Sequence, residues 1–165
     1  MAPEDKQSVT WPDGLTVRPM QAQDAPEAAA IESGLFSQPW SLQSFLDSLA
    51  LEDALYVTAL RGGKVIGYCG LRRSFDEAEI TNVAVASERW GEGTGRRMLE
   101  HLLLLAREWG VRRFTLEVRA GNERAILLYR SLGFLDAGIR PGFYEMPREG
   151  ALIMWTPDPD GAAGQ

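Results

Sequence analysis

The chain has 165 residues, of which 45% are hydrophobic, and it carries a formal net charge of -6. This length and apolar content predict one globular domain with a core large enough to fold without disulfide bonds. The acidic balance argues against direct binding of nucleic acid, whose phosphates require a basic face, and favours a basic peptide as a macromolecular partner.

The two ends of the chain have the composition of tails. Residues 1–13 and 157–165 are rich in Pro, Gly, Ala and acidic side chains, so we expect flexible tails around a domain of residues 14–156. The N-terminus has no basic region followed by an apolar stretch, and the apolar run at 102–105 is far too short to cross a bilayer. The sequence therefore indicates a cytoplasmic protein with no membrane partner.

One cysteine, Cys69, and one histidine, His101, are present. A single thiol excludes a disulfide framework, and the scarcity of both residue types argues against a zinc site. We therefore expect no bound metal, and we interpret Cys69 as a small buried strand residue.

Hydrophobic periodicity predicts alternating strands and helices. The first half is predicted to contain, in order, a strand at 15–18, a helix capped by Asp24 and ending near Glu32, a helix capped by Ser41 and ending near Ala50, and strands at 55–60 and 65–71. Gly62-Gly63 is the strongest hairpin signal. The second half is predicted to contain a strand at 79–85, a long helix ending at Gly110, a strand at 114–118, a helix at 123–132, and strands at 134–139 and 151–155. This order predicts a mixed α/β fold.

A glycine-rich loop joins the predicted strand at 79–85 to the long helix. The run Gly91-Glu92-Gly93-Thr94-Gly95 is followed by Arg96 and Arg97. Bare backbone amides at a helix N-terminus form a concavity of positive potential, and glycines let an anion approach closely. Cations in a first turn oppose the helix dipole unless a bound anion offsets the cost. The pattern favours a phosphate site, and an ordinary glycine turn with solvated arginines is the alternative.

Two familiar phosphate ligands do not fit this loop. No Lys-Ser/Thr pair follows the last glycine, so the ligands for a magnesium nucleoside triphosphate are missing. A dinucleotide fold is disfavoured because the glycines lie in mid-chain after three earlier strand segments.

Four segments together resemble the GNAT acetyltransferase superfamily. They are the glycine loop with its long helix, the strand that carries Glu117, the pattern Asn122-x-x-Ala125-x-x-x-Tyr129, and Leu132-Gly133-Phe134. The resemblance spans about residues 15–155. It implies a GNAT-like, mixed, mostly antiparallel central sheet that is flanked by helices on both faces.

Three further segments resemble one group within the superfamily, the ribosomal-protein-alanine N-acetyltransferases of the Rim type. They are Glu32-x-x-x-Phe36-x-x-Pro39-Trp40-Ser41-x-x-x-Phe45, Leu116-Glu117-Val118-Arg119-Ala120-Gly121-Asn122 and Ile139-Arg140-x-x-Phe143-Tyr144. The chain departs from the family pattern at Trp90, where Gln or Arg is usual, at Gly91, where Arg is frequent, and at Phe143, where a tyrosine is common.

The resemblance implies acetyl-CoA as cosubstrate. The residues that would hold its pyrophosphate are Gly91, Glu92, Gly93, Thr94, Gly95 and Arg96. The main chain of Val83, Ala84 and Val85 would pair with the pantetheine arm and the thioester carbonyl, and Asn122 would contact the cosubstrate too.

The resemblance also implies direct acetyl transfer to an amine, with Glu117 as general base and Tyr129 as general acid. Neutralising an α-amino group at pH 7 costs only about 1 kcal/mol, whereas a lysine costs about 4 to 5 kcal/mol, so a modest base suffices for a protein N-terminus. Read from the residues alone, Glu117 could be a solvated charge on a sheet and Tyr129 a plain core residue.

By resemblance, Trp40, Arg140 and Tyr144 would border the substrate peptide. The expected function is N-alpha-acetylation of a protein N-terminus, with the N-terminal alanine of a basic small-subunit ribosomal protein as substrate. The alternatives are a GNAT enzyme acting on lysine or a small-molecule amine, and a non-catalytic CoA-binding module.

Overall fold

The computed structural model describes residues 7–145 and 147–159. The described strands are β1 (Val9–Thr10), β2 (Thr16–Pro19), β3 (Ala54–Arg61), β4 (Lys64–Ser74), β5 (Glu77–Val85), β6 (Arg113–Arg119), β7 (Leu135–Tyr144) and β8 (Glu149–Trp155). The described helices are α1 (Ala25–Leu35), α2 (Leu42–Leu49), α3 (Thr94–Glu108) and α4 (Glu123–Ser131). The chain divides into two compact units, one up to Arg72 together with Thr81–Trp109, the other Arg73–Ile80 together with the residues from Gly110 onward.

In the first unit the strand order is β1-β2-β3-β4-β5. The pairs β1–β2, β2–β3 and β3–β4 are antiparallel. The hairpin between β3 and β4 turns at Gly62 and Gly63, whose φ angles of 57° and 78° are left-handed and therefore suit glycine. The hairpin prediction is confirmed.

Aromatic packing forms a core in the first unit, beside helices α1 and α2. Phe45 is 1% exposed, and its ring meets that of Tyr68 edge-on at 5.1 Å. Ser41 caps α2 as predicted, since its Oγ accepts a hydrogen bond from the Ser44 N–H at 3.1 Å. Asp24 precedes α1, but its carboxylate accepts hydrogen bonds from Arg18 at 2.7 and 3.0 Å and makes no side-chain cap. The prediction that Asp24 caps the helix is therefore wrong, because a nearby cation holds the carboxylate.

In the second unit the strand order is β5-β6-β8-β7. Strand β5 pairs with β6 in parallel, from Glu77 opposite Arg113 to Glu79 opposite Thr115. The pairs β6–β8 and β7–β8 are antiparallel. Strand β6 alternates between buried and half-buried residues, as its sequence predicts. The strands are thus mixed and mostly antiparallel, which confirms the predicted fold class.

The bounds of several elements differ from the sequence expectation, most of all at residues 7–13 and at the end of β7. Residues 7–13 were expected to be part of a flexible tail, but Val9–Thr10 pairs with β2, and Asp13 accepts hydrogen bonds from two arginines. Residues 1–6 and 160–165 lie outside the described part of the chain. Strand β7 continues to Tyr144, beyond the predicted end at 139, because bulges in its register with β8 obscure the two-residue period. The domain limits of 14 and 156 stay a prediction.

Cys69 lies in β4 and is completely buried, as expected from the sequence. Burial raises the pKa of its thiol well above the usual value, so the side chain is an inert core residue. Within residues 7–145 and 147–159, no helix is long and apolar enough to cross a membrane. Among the same residues, no group of three or more His, Cys, Asp and Glu side chains could hold a metal ion.

Two glycine-to-alanine changes test the packing of the first unit. A Cβ atom at Gly70 would overlap the ring of Tyr56, so we expect Gly70→Ala to lower the free energy of unfolding by about 1–3 kcal/mol. Gly34 in α1 has no atom near its would-be Cβ, so Gly34→Ala should raise that free energy by about 0.5–1 kcal/mol. Urea unfolding followed by circular dichroism measures both, and equal midpoints for the two variants would contradict the packing described.

Candidate active site

The loop before α3 presents backbone N–H groups at the start of a long helix. Gly91 and Gly93 adopt φ angles of 85° and 78°, a left-handed conformation that glycine reaches without strain. Gly93 is the N-cap residue of α3 and makes no side-chain cap. Because the first N–H groups of an α-helix have no partner within the helix, this N-terminus can bind an anion.

Thr94 adds a buried hydroxyl to this loop. Its residue surface is 2% exposed, and its Oγ has no hydrogen-bond partner among the described residues. Leaving a buried polar group unpaired costs about 1–3 kcal/mol, so such an atom calls for an explanation such as a ligand or an ordered water. The backbone amides of this N-terminus suit a phosphate group, whereas the Thr94 Oγ is covered by the protein.

The two arginines after the loop behave differently from each other. Arg96 is exposed and lies 3.6 Å from the Glu100 carboxylate, one turn further along α3. Arg97 instead donates to both carboxylate oxygens of Asp13 at 3.0 Å. The inference that both cations need a bound anion is therefore wrong for Arg97, since a carboxylate of the chain itself neutralises it. No local pattern could reveal this partner, which lies 84 residues away.

The end of β5 carries the main-chain groups predicted to pair with pantetheine. Ala84 is buried, and Val83 and Val85 are half-buried. The Trp90 indole N–H donates to the Val85 carbonyl at 2.7 Å. A carbonyl oxygen can accept two hydrogen bonds, so the predicted pairing of Val85 stays open. Trp90 thus links the loop to β5 by a hydrogen bond. The sequence signal for this link was the tryptophan itself, which replaces the Gln or Arg that is usual in the family.

Glu117 lies near the centre of β6, in the second unit. Its side chain is 18% exposed, and one oxygen lies 3.2 Å from a guanidinium nitrogen of Arg140. The other oxygen is buried and has no hydrogen-bond partner within the described chain. Glu117 is therefore not a freely solvated surface charge, and the structure brings it together with Arg140. The guanidinium of Arg140 also lies 4.9 Å from the Phe143 ring centroid.

Tyr144 lies within electrostatic range of the same carboxylate, and Arg119 packs on its ring. The Arg119 guanidinium is 4.6 Å from the Tyr144 ring centroid and donates to the carbonyls of Pro147 at 2.8 Å and Glu145 at 3.0 Å. Burial raises the pKa of Tyr144, and the negative charge of Glu117 raises it further. Arg119 lies two residues after Glu117, on the same face of β6, and this spacing is a sequence signal for its place near the carboxylate.

Asn122 precedes α4, the helix that follows β6, and Tyr129 lies within that helix. The Asn122 side-chain carbonyl accepts a hydrogen bond from the Ala125 N–H at 3.2 Å, so Asn122 caps α4. Its side-chain amide N–H groups can still serve a ligand. Tyr129 is 7% exposed and packs edge-on against Phe134, with 5.9 Å between ring centroids. Its predicted role as an acid stays a prediction.

Trp40 lies in the first unit, next to the aromatic core. Its ring is 5.4 Å from that of Phe45 and 6.4 Å from that of Tyr56. The buried Glu32 fixes the turn that carries it, because Glu32 accepts hydrogen bonds from the Trp40 backbone N–H at 3.2 Å and from the Tyr68 hydroxyl. Burial raises the pKa of Glu32. Trp40 is therefore a fixed, half-buried residue, and its contact with a substrate stays a prediction.

Comparison with known proteins places the chain in a family. The family model described as "Acetyltransferase (GNAT) family" matches residues 23–134. A ribosomal protein bS18-alanine N-acetyltransferase from Escherichia coli is 37% identical over 144 residues, which are 86% of this chain and 97% of that protein. The N-alpha-acetyltransferase RimI from Mycobacterium tuberculosis is 36% identical, with 85% of this chain and 90% of that protein covered.

The fold comparison agrees with the sequence comparison. The crystal structure of the ribosomal-protein-S18-alanine N-acetyltransferase from Escherichia coli matches with a TM-score of 0.81 and 36% identity, covering 87% of this chain and 94% of that one. The chain belongs to the GNAT family of acetyltransferases.

Proposed function

We propose that this protein transfers the acetyl group of acetyl-CoA directly to the free α-amine of a protein N-terminus. The observation that carries the proposal is the Glu117 carboxylate, which has one oxygen paired with Arg140 and the other buried without a partner. A base of this kind can take a proton from an incoming amine. The names of the relatives that align over most of the chain support the same reaction.

The loop of residues 91–96, which we call the anion-binding loop, supports acetyl-CoA as cosubstrate. Left-handed glycines and an uncapped helix N-terminus fit a diphosphate. The residues Gly91 to Arg96 would hold that diphosphate, and the main chain of Val83 to Val85 and the side chain of Asn122 would hold the rest of the molecule. When bound, acetyl-CoA supplies an acetyl group activated as a thioester.

Glu117 would act on the amine. A protein α-amino group has a pKa of about 7.7–8.0, so removing its proton at pH 7 costs only about 1 kcal/mol and demands no unusual base. The carboxylate oxygen beside the half-exposed Arg140 is the more accessible one, and we expect it to take the proton directly or through a water, while the other oxygen is covered by the protein.

Tyr129 would supply a proton to the departing sulfur. A tyrosine ordinarily titrates near pH 10, so its phenol carries a proton at neutral pH. The ring is fixed by packing on Phe134, and a fixed donor loses little entropy when it acts.

The N-terminal alanine of a basic small-subunit ribosomal protein is the substrate we propose, in the cytoplasm. The Escherichia coli relative, which is 37% identical, is named for this activity, and the Mycobacterium tuberculosis relative is named as an N-alpha-acetyltransferase. The net charge of -6 favours a basic polypeptide as partner. Trp40, Arg140 and Tyr144 would border the peptide, with Phe143 in place of the tyrosine that is common in the family.

Glu117→Gln tests the role of the base. We expect turnover to fall about 100-fold at pH 6.5 and much less at pH 9, because free amine is abundant in alkaline solution and needs no base. Steady-state rates across this range, with Glu79→Gln as the control on the neighbouring strand, measure the effect. A loss of equal size at every pH would reject the role.

Tyr129→Phe tests the role of the acid. The change removes only the hydroxyl, so we expect kcat to fall about 10- to 100-fold while the Kd for CoA stays within about twofold. Kinetics and calorimetry on the same preparation separate the two quantities. Unchanged turnover would remove Tyr129 from the mechanism.

Labelled acetyl-CoA and a peptide library test the substrate. The library varies the first two residues, and its control is a set of lysine peptides with blocked N-termini. We expect label on peptides with a free N-terminal alanine and none on the blocked set. Equal labelling of the blocked lysine peptides would establish the alternative, an enzyme for lysine or small amines.

A further inference from the structure

Asp13 joins the N-terminal segment to two arginines of the first unit. Its carboxylate accepts hydrogen bonds from Arg61 at 2.9 Å and from Arg97 at 3.0 Å. The Leu15 N–H also donates to it at 3.2 Å. These contacts, the Arg61 hydrogen bond above all, lower the pKa of Asp13 to about 2. Asp13 therefore stays ionised at any pH at which an enzyme assay is run.

The segment around Asp13 is fixed at several further points. Strand β1 pairs with β2, Val9 lying opposite Val17. The Trp11 N–H donates to the Leu15 carbonyl at 2.8 Å, and the Trp11 ring centroid is 5.4 Å from the Arg97 guanidinium. The His101 imidazole lies 2.6 Å from the Gln7 carbonyl. Residues 7–15 therefore form a defined structure beside α3.

Arg97 also holds the main chain of the anion-binding loop. Its guanidinium donates to the carbonyl of Glu92 at 3.0 Å and to that of Gly93 at 3.4 Å. In a planar trans peptide the N–H points opposite to the C=O of the same unit. Fixing these two carbonyls therefore directs the N–H groups of Gly93 and Thr94 away from Arg97. Glycines would otherwise leave this loop many conformations.

We propose that Asp13 is a positioning residue for the anion-binding loop, acting through Arg97, so that the N-terminal segment sets the affinity for the diphosphate of CoA. Asp13 orients the Arg97 guanidinium, the guanidinium holds two loop carbonyls, and the carbonyls orient the N–H groups that meet the ligand. The identity of the ligand, but not the contact network, rests on the proposed function.

Simple electrostatics makes the opposite prediction. Removing a negative charge near an anion site should tighten anion binding or leave it unchanged, particularly at physiological salt, where charges are screened over about 8 Å. Loss of positioning should weaken binding. The sign of the change therefore distinguishes the two explanations.

The experiment is calorimetric titration of the full chain with CoA at pH 7.5. We expect Asp13→Asn to raise the Kd about 5- to 20-fold and Arg97→Met to raise it by at least as much. The double variant should bind no more weakly than Arg97→Met alone, because Asp13 acts through Arg97. Asp53→Asn is the matched control, since it breaks an exposed arginine pair of 2.8 Å in the same unit, and its Kd should stay within twofold of wild type.

A second readout follows the loop itself. Amide hydrogen exchange at Arg97, whose N–H donates to the Gly93 carbonyl at 3.1 Å, should become faster in Asp13→Asn, whereas a general loss of stability would raise exchange throughout α3. An Asp13→Asn variant that binds CoA as tightly as wild type, or more tightly, overturns the inference. The wild-type titration distinguishes this failure from a failure of the proposed function. If the unsubstituted protein binds no CoA, the proposed function is wrong; if it binds CoA and Asp13→Asn binds equally well, only the inference is wrong.

Discussion

The proposed activity depends on hydrogen bonds between a phosphate group and the backbone N–H groups at the N-terminus of α3. Gly93 is the N-cap residue of this fifteen-residue helix and makes no side-chain cap, and both Gly91 and Gly93 lie in the left-handed region. Such a terminus attracts a phosphate through its partial positive charge as well as through hydrogen bonds. Two hydrogen bonds restrict the conformation of this glycine-rich loop. The Trp90 indole N–H donates to the Val85 carbonyl, and the Arg97 guanidinium donates to the Glu92 carbonyl.

The second unit contributes a carboxylate whose two oxygens differ. One oxygen of Glu117 is paired with a half-exposed arginine, and the other is buried without a hydrogen-bond partner in the described chain. A buried unpaired oxygen is costly, and proteins retain such atoms where they serve a ligand or a reaction. Tyr144 and Arg119 belong to the same polar cluster around β6. The residues proposed to act on the amine and to border the peptide in the second unit therefore lie in one region of the sheet.

Local chemistry allowed much of the fold to be predicted from the sequence. Gly62-Gly63 specifies a tight hairpin because both residues need left-handed backbone, and the alternation in β6 follows from one buried face. The glycine loop could be predicted because its left-handed turns require glycine at closely spaced positions, Gly91 and Gly93.

Long-range partners could not be predicted in this way. Asp13 neutralises Arg97 across 84 residues, and Asp24 pairs with Arg18 instead of capping the helix that it precedes. In both cases the charge of the side chain follows from the sequence, but its ion-pair partner is determined by tertiary packing. The two-residue strand β1 gives no periodic signal, and the bulges of β7 disrupt the signal that a longer strand would give.

A structure of the protein crystallised with CoA tests the role of the α3 N-terminus most directly. We expect diphosphate oxygens within hydrogen-bond distance of the backbone N–H groups between Gly91 and Arg96, with the thiol arm running along Val83 to Val85. A structure in which the diphosphate binds elsewhere, while this loop faces only solvent, would contradict the proposed function.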